Sequence, residues 1–172
     1  MTMATDGRHQ LPRIVVQEIS TRDEMEEVYL IRDEIFVHEQ ALTNDARFDP
    51  DDRRSIHFLA YLDDKPVGTG RLTILSREAQ VAWVAVREPF RKHGVGQAVM
   101  TAILERARDE EADYVVLNAQ SHALDFYRGM GFDTLGGQFR MGGISHQVML
   151  LGLTSGGGDE AKRLFGASRL GI

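Results

Sequence analysis

The most constraining feature of the sequence is a segment in which apolar spacing changes from that of a buried strand to that of a helix. Residues 80–86 (QVAWVAV) are almost unbroken in their apolar character, which is typical of a strand covered on both faces. A short basic loop follows, and from Gly94 to Ala107 apolar residues recur every three to four positions. A buried strand that leads through a glycine loop into an amphipathic helix predicts a layered fold with helices packed on a sheet.

The rest of the chain repeats these two kinds of element. Thr21 and Glu24 have the spacing of a capping box, so a helix is predicted to begin there and to end near His38. The predicted order β-α-β-β-β-α-β-α-β-β makes the fold α/β (α+β), with a mixed sheet and helices on its faces. Strands are predicted at 14–19, 57–62, 67–76, 80–86 and 114–118, with two more within 132–153, and the later helices at 94–107 and 121–130.

Length and composition set further limits. The 172 residues suit one domain at 13–153, flanked by a flexible arm at 1–12 and by a glycine-rich linker and tail at 154–172. Residues 159–172 could form a short helix but have little to bury. The net charge of −6 disfavours nucleic acid as a partner and suits a cationic small molecule. No apolar run is long enough for a membrane span, and the polar start lacks a signal peptide's apolar core, so we expect a cytoplasmic protein, monomeric or homodimeric. Cysteine is absent and the six histidines lack metal-ligand spacing, so no metal is predicted.

The glycine loop is the first candidate site. The first turn of a helix carries free N–H groups and the positive end of the helix dipole, and glycine lets an anion approach the backbone. Arg91 and Lys92 add positive charge beside Gly94 and Gly96. The dinucleotide fingerprint is excluded because Val99 stands where a third glycine is needed, and the lysine of a P-loop is missing. An ordinary helix start with solvated basic residues is the alternative.

Four segments together resemble a known family. Residues 84–86 followed by Arg-x-x-Gly-x-Gly at 91–96 resemble the acetyl-CoA loop of the GCN5-related N-acetyltransferase (GNAT) family. Asn-Ala-Gln at 118–120 ends the next strand, and ALDFYRGMGF at 123–132 is similar to that family's A-x-x-F-Y-x-x-x-G-F segment. RDEIFVHEQ at 32–40 resembles the R-x-x-V-F-V-x-E-Q stretch of its ElaA- or YjcF-like subgroup. The resemblance spans about 14–152.

The resemblance implies a mostly antiparallel sheet in which two parallel strands splay apart, with acetyl-CoA (or coenzyme A) in the gap. It implies that Val84, Ala85 and Val86 pair with the pantetheine through main-chain groups. The residues implied to cradle the pyrophosphate are Arg91, Lys92, His93, Gly94, Val95, Gly96 and Gln97; Asn118 and Phe126 complete the implied cofactor set. Asn118 could instead cap a helix.

For the chemistry, the resemblance implies that Tyr127 is the acid that protonates the departing thiolate. The alternative is a core tyrosine packed beside Phe126. Glu39 is the candidate base for the acceptor amine, against a solvated helix-end carboxylate, with His57 and His122 as second choices. Arg32 and Arg71 are predicted to be structural ion-pair partners, and the acidic stretch 45–52 to be a solvated loop.

The predicted function is transfer of an acetyl group from acetyl-CoA to a primary amine, of a small molecule or an exposed amino group. Because there is no cysteine to carry the acetyl group, direct transfer in a ternary complex is the expected route. Two alternatives stay open: a module of the same fold that binds or senses acyl-CoA without transfer, and an enzyme that uses a larger acyl donor.

Overall fold

The structure, a computed structural model, describes residues 11–42 and 45–169, so most of the arm predicted at 1–12 lies outside the described residues. The strands are β1 (Ile14–Glu18), β2 (Ile56–Leu62), β3 (Lys65–Leu75), β4 (Glu78–Val86), β5 (Tyr114–Gln120), β6 (Asp133–Met141) and β7 (Ile144–Gly152). The α-helices are α1 (Arg22–Arg32), α2 (Val95–Asp109), α3 (Leu124–Arg128) and α4 (Gly157–Arg169). The element order predicted from the sequence is confirmed up to β7, and α4 follows it.

The seven strands form one sheet in the order β1-β2-β3-β4-β5-β7-β6. In the described part of the chain, β4 and β5 are the parallel pair, and the other neighbours are antiparallel. The predicted mixed, mostly antiparallel sheet is therefore confirmed. In those same residues, no helix is long and apolar enough to cross a membrane.

Helices cover both faces of the sheet because successive side chains of a strand point to opposite faces. In β2, Phe58 and Ala60 join the core beneath α2, whereas Leu59, which lies between them, joins the core beneath α1. The α2 core also holds Tyr127, so α3 lies against the same face. The sheet is thus the middle layer of a three-layer fold, as predicted.

The first helix begins as the capping box predicts and ends in an unusual way. The hydroxyl of Thr21 accepts a hydrogen bond from the Glu24 N–H at 3.1 Å. After Arg32 the chain continues as a π-helical segment, Asp33–Glu39, and the N–H of Gln40 donates to the Ile35 carbonyl at 3.0 Å. The wider turn keeps the helix going as far as was predicted, and π-helical turns are rare and concentrate at functional sites.

A bulge in β4 causes that strand to leave its parallel neighbour. Thr69 pairs with Ala85 and Arg71 with Ala82, so Trp83 and Val84 together face a single β3 residue, and Trp83 has φ +54°. An extra residue bends a strand and increases its twist. The pairing of β4 with β5 stops at Val81 opposite Leu117, and beyond this point the two strands splay apart.

The tail is more buried than the sequence suggests. Residues 154–172 read as a linker and tail with little to bury, but α4 begins at Gly157, five residues after β7 ends. On α4, Ala161 is fully buried, and the ring of Phe165 meets that of Tyr114 edge-on at 6.5 Å. A short helix in this tail agrees with the sequence analysis, but the expectation that it has little to bury does not hold for residues 157–165, because α4 covers apolar side chains of β5 and β7 that would otherwise face solvent.

Replacing Gly157 with alanine is expected to loosen α4 and lower the free energy of unfolding by about 1–3 kcal/mol, as overpacking does. A Cβ there would clash with the backbone carbonyl of Asp113, which cannot move without breaking its hydrogen bonds from Leu153 and Thr154. The matched control is Gly158→Ala, whose Cβ meets Gly152 at an ordinary 3.7 Å. Urea unfolding and amide exchange in α4 measure the effect, and equal stability of the two variants would contradict it.

Candidate active site

The splay between β4 and β5 opens into a cavity of about 930 Å³. Among the predicted site residues, those that line it are Glu39, Val84, Ala85, Val86, Arg91, Asn118 and Tyr127. The others lie beside the opening rather than in it: Lys92, His93, Gly94, Val95, Gly96, Gln97 and Phe126. The fold therefore brings the two predicted catalytic side chains to one cavity and places the glycine loop next to it.

The glycine loop forms the start of α2 in the predicted way. Gly94 is the N-cap residue with φ +85°, a left-handed conformation that glycine adopts without strain. The first donor to bond within the helix is the N–H of Ala98, which reaches the Gly94 carbonyl at 3.0 Å. The N–H groups of residues 95–97 precede it and point out of the helix end, where they suit an anion. Val95 supplies only its backbone, since its side chain is buried.

Phe126 stands directly beside this helix start. A Cβ at Gly96 would lie 3.5 Å from the Phe126 ring, an ordinary van der Waals distance, so the ring lies close against the backbone of the first turn of α2. The ring is 39% exposed, which is high for a phenylalanine, and it packs edge-on against Tyr127 at 5.0 Å. An exposed ring next to free N–H groups forms a surface on which an extended, partly apolar ligand could lie.

Arg91 and Glu39 are joined across the cavity. The guanidinium donates from Nη1 and Nη2 to the two carboxylate oxygens of Glu39 at 2.6 and 2.7 Å, and from Nε to the Val86 carbonyl at 2.9 Å. The hydrogen bond from Arg91 holds the pKa of Glu39 below its ordinary value. A carboxylate in this state has less tendency to take a proton, which weakens Glu39 as a base while the pair is intact.

A second contact fastens the π-helical segment to the other splayed strand. The side-chain amides of Gln40 and Gln120 exchange two hydrogen bonds, at 3.1 and 2.8 Å. Glu39 and Gln40, adjacent in sequence, thus contact opposite sides of the splay: one reaches Arg91 beyond β4, the other reaches the end of β5. The end of the π-helical segment therefore forms a wall of the cavity.

Tyr127 has the surroundings expected of a proton donor. The residue is 8% exposed and lines the cavity, and its hydroxyl makes no hydrogen bond to any residue of the described ranges. The hydroxyl oxygen keeps some solvent-accessible surface, and because the side chain lines the cavity, we infer that this surface opens into it. Burial raises the pKa of Tyr127 to about 12, which keeps the phenol protonated at neutral pH.

A buried network of charges lies under one side of the cavity. Arg32, fully buried, donates to Asp52 at 2.8 Å, and Arg71 donates to Asp52 at 3.0 Å and to Asp49 at 2.7 Å. The structural ion pairing predicted for Arg32 and Arg71 is confirmed. The solvated loop predicted at 45–52 is wrong for Asp52, which is buried because it pairs with both buried arginines.

The network also holds the β4 bulge in place. The indole Nε1 of Trp83 donates to Asp49 at 2.9 Å, and the Arg32 guanidinium lies 5.1 Å from the centre of the indole. Phe36 meets the same indole edge-on at 5.0 Å. Three contacts from the α1 side therefore fix the residue with the positive φ, and with it the direction in which β4 leaves β5.

His57 belongs to this network and not to the cavity. Its Nε2 lies 2.9 Å from the Asp52 carbonyl oxygen, which can only accept, and its Nδ1 lies 3.3 Å from Arg32 Nη2, which can only donate. Burial is the main cause that lowers its pKa. With both ring nitrogens engaged, His57 cannot serve as a base for a substrate, and this prediction is wrong. His122 does line the cavity.

With the geometry in place, comparison with known proteins decides the family. The profile of the Acetyltransferase (GNAT) family matches residues 22–132, which is more than half of the chain. The chain belongs to the GNAT family. A Bacillus subtilis (strain 168) protein named Uncharacterized N-acetyltransferase YjcF is 31% identical over 129 residues, covering 74% of this chain and 92% of that protein.

Solved structures agree with this membership. The crystal structure of Escherichia coli ElaA aligns with a TM-score of 0.72 at 26% identity, covering 80% of this chain and 99% of that one. The crystal structure of a Bacillus subtilis acetyltransferase in complex with CoA aligns with a TM-score of 0.58 at 20% identity, covering 83% and 99% of the two chains, and shows the fold alone. The resemblance to the ElaA/YjcF-like subgroup is confirmed, and this GNAT protein is an acyltransferase by family.

Sequence reasoning missed several residues of this GNAT cavity, among them Trp83, Met141 and His146. Trp83 reads as one more apolar residue of a buried strand, and its positive φ leaves no trace in the spacing. Met141 and His146 come from the β6–β7 hairpin, whose position depends on pairing with β5. For His146, the sequence offered no signal beyond the fact that it is one of six histidines. Among residues 11–42 and 45–169, no group of three or more His, Cys, Asp or Glu is placed to hold a metal ion.

Proposed function

We propose that this GNAT protein transfers an acetyl group from acetyl-CoA to a primary amine, directly and within a ternary complex. The observation that carries the proposal is the hydroxyl of the buried Tyr127. It is protonated at neutral pH, has no hydrogen-bond partner among residues 11–42 and 45–169, and belongs to a side chain that lines the cavity between the splayed strands. A tyrosine that only packs in the core usually has its hydroxyl hydrogen-bonded to another protein group, whereas this hydroxyl is available to a substrate in the cavity.

The residues beside the opening fit coenzyme A. The N–H groups of residues 95–97 and the side chain of Lys92 suit the pyrophosphate, and the half-exposed Phe126 ring offers an apolar surface beside Gly96. Backbone groups of 84–86 and the exposed Asn118 border the gap in which a pantetheine arm would lie. The likeness in fold to an acetyltransferase crystallised with CoA supports the assignment.

Each side chain then has a task that follows from its chemistry. The bond from carbonyl carbon to sulfur breaks as the amine attacks, and the thiolate that leaves needs a proton. The Tyr127 phenol supplies it, or first stabilises the negative charge, and general acids of this kind typically contribute about 100-fold or more to the rate. Positioning of the two substrates in one cavity contributes the rest.

The acceptor enters from the side of the π-helical segment. Carboxylates of Glu39, Asp49 and Asp51 line that side of the cavity, together with the apolar side chains of Ile35 and Phe36. Negative charge there attracts an ammonium ion, which suits a cationic small molecule with an apolar portion. Glu39 remains a proposed base only if the binding of substrate separates it from Arg91.

The test is a panel of primary amines incubated with acetyl-CoA and the full-length protein, with released thiol measured by a colorimetric reagent. Saturable thiol release that depends on the amine is expected, with the acetylated amine identified by mass spectrometry. Calorimetric titration with coenzyme A provides a separate measurement of binding. Tight binding of coenzyme A without thiol release across alkyl, aryl and peptide amines would favour the sensing module, and absence of binding would contradict both.

A further inference from the structure

A second titratable group in the cavity has no role in the proposal above. His146 lies on β7, opposite Gln120 of β5 on one side and Phe139 of β6 on the other. It is 5% exposed, and the surface that it keeps lines the cavity. It therefore reaches the cavity beside Gln120, at the end of the splayed strand β5.

The hydrogen bond that His146 makes decides which nitrogen carries its proton. Nδ1 lies 2.7 Å from the carbonyl oxygen of Ile144, and because a carbonyl only accepts, Nδ1 must be the donor. In the neutral ring the lone pair is then on Nε2. Nε2 has no hydrogen-bond partner in the described part of the chain and is not sealed off from solvent. A basic nitrogen is thus available on a side chain that lines the cavity.

The ring is also held in a fixed orientation. The Phe139 ring stacks on it at 5.9 Å with 24° between the planes. The next residue back, Ser145, is tied to the end of β5, because the Ser121 hydroxyl lies 3.1 Å from its carbonyl and 2.9 Å from its hydroxyl. A stacked ring with an anchored backbone and one committed nitrogen matches the arrangement in which a histidine acts as a positioned base.

The other ionisable groups of the cavity are engaged elsewhere. Glu39 is held by Arg91, Asp51 by Arg54 and Asp49 by Arg71 and Trp83. His122 is exposed, and no hydrogen bond in the described residues orients its ring. The titratable and charged groups that share the cavity with His146 are Glu39, Asp49, Asp51, Arg71, Arg91, His122 and Tyr127.

We propose that His146 is the general base that removes a proton from the acceptor amine. The inference rests on the proposed transferase function. An ammonium acceptor loses one proton to Nε2 and gains a nitrogen lone pair; the nitrogen–carbon bond forms and the carbon–sulfur bond breaks. Tyr127 gives its proton to sulfur and recovers one from the same nitrogen. The sum is an amide, free coenzyme A and one proton, which His146 passes to solvent.

The first test needs no turnover. Long-range ¹H–¹⁵N NMR of the full-length protein reports the tautomer of each histidine, and the signals that vanish in His146→Gln identify His146. At neutral pH its neutral form is expected to be protonated on Nδ1 and unprotonated on Nε2. The opposite tautomer overturns the proposal, because Nε2 would then have no lone pair with which to take a proton.

The second test is kinetic and uses the most active amine of the panel. His146→Gln is expected to lower kcat about 100-fold, the usual contribution of a general base, with the KM for acetyl-CoA within about twofold of the wild-type value. The dependence of kcat on pH should change in the same variant, because the group that accepts the amine proton has been removed. For an amine that is already neutral at the assay pH, the decrease in kcat should be smaller, because the base has less proton transfer to perform.

Matched variants separate the outcomes. His38→Gln changes an exposed histidine outside the cavity and should behave as wild type. If His122→Gln, rather than His146→Gln, changes the dependence of kcat on pH, the base is His122 and the proposal is wrong. Normal turnover and pH profile in His146→Gln would overturn it as well. A wild-type protein that binds coenzyme A but acetylates no amine contradicts the proposed function itself, and the role of His146 falls with it.

Discussion

Replacing Tyr127 with phenylalanine is expected to lower kcat about 100-fold or more while it leaves the affinity for coenzyme A nearly unchanged. The variant removes one hydroxyl that has no partner within the described residues, so it leaves no buried group unsatisfied, and the ring contacts with Phe126 and Phe132 persist. The fold should therefore keep its stability, and the loss should lie in the chemical step. Steady-state kinetics with the most active amine, together with calorimetry for coenzyme A, measure the two quantities.

The matched control for this prediction is Tyr114→Phe. Tyr114 is also a buried tyrosine, but it lies outside the cavity and its hydroxyl donates to Glu78 at 2.7 Å. Loss of that hydrogen bond should reduce stability by about 1 kcal/mol and leave kcat as it is. If Tyr127→Phe keeps full turnover, or if both variants lose activity equally, Tyr127 is not the acid.

Replacing Asp52 with asparagine is expected to destabilise the protein by about 3–5 kcal/mol, which is the usual cost when one partner of a buried ion pair is removed. Asp52 is the carboxylate that Arg32 and Arg71 share, and its side chain is 7% exposed. An amide keeps the shape but carries no charge, so the positive charge of Arg32 would be left buried without its partner. Urea unfolding monitored by Trp83 fluorescence measures the loss.

The control for Asp52 is its neighbour in sequence. Asp51→Asn disrupts an exposed pair with Arg54 and should change the free energy of unfolding by less than about 0.5 kcal/mol. Because Asp52→Asn could fail to fold, Arg32→Met combined with it provides a second measurement. The double variant should lose less than the sum of the single losses, since the two residues share one interaction. Strict additivity, or a small loss in Asp52→Asn, would contradict the structural role of the network.

Local signals in the sequence predicted the elements well wherever the physical cause was also local. The capping box at Thr21 needs only a hydroxyl and an N–H three residues apart, and it forms as expected. Gly94 begins α2 because a glycine tolerates the left-handed conformation of that turn. The burial of the tail was missed for a related reason. The helix at 157–169 is stabilised by its contact with β5 and β7, and that contact is not local in the sequence.

The site divides along the same line. Tyr127, Glu39 and the glycine loop could be proposed from the sequence because they lie within motifs defined by the spacing of residues along the chain. The pairing of Glu39 with Arg91 joins residues far apart in the chain, and it changes how Glu39 can act. Asp52 reads as a solvated loop acid until the fold brings two arginines to it.

By itself, the sequence determined the order of the strands and helices up to β7 and the resemblance to the family, and it located the glycine loop at the start of α2. Helix periodicity, caps and glycine turns depend on neighbours in the chain. Only the tertiary structure decided where β4 leaves β5, that Trp83 is tied to Asp49 at the bulge, and that His146 lines the cavity with Nδ1 committed to the Ile144 carbonyl. Each of these depends on strand register and on charges buried together, and those are properties of segments that meet only when the chain has folded.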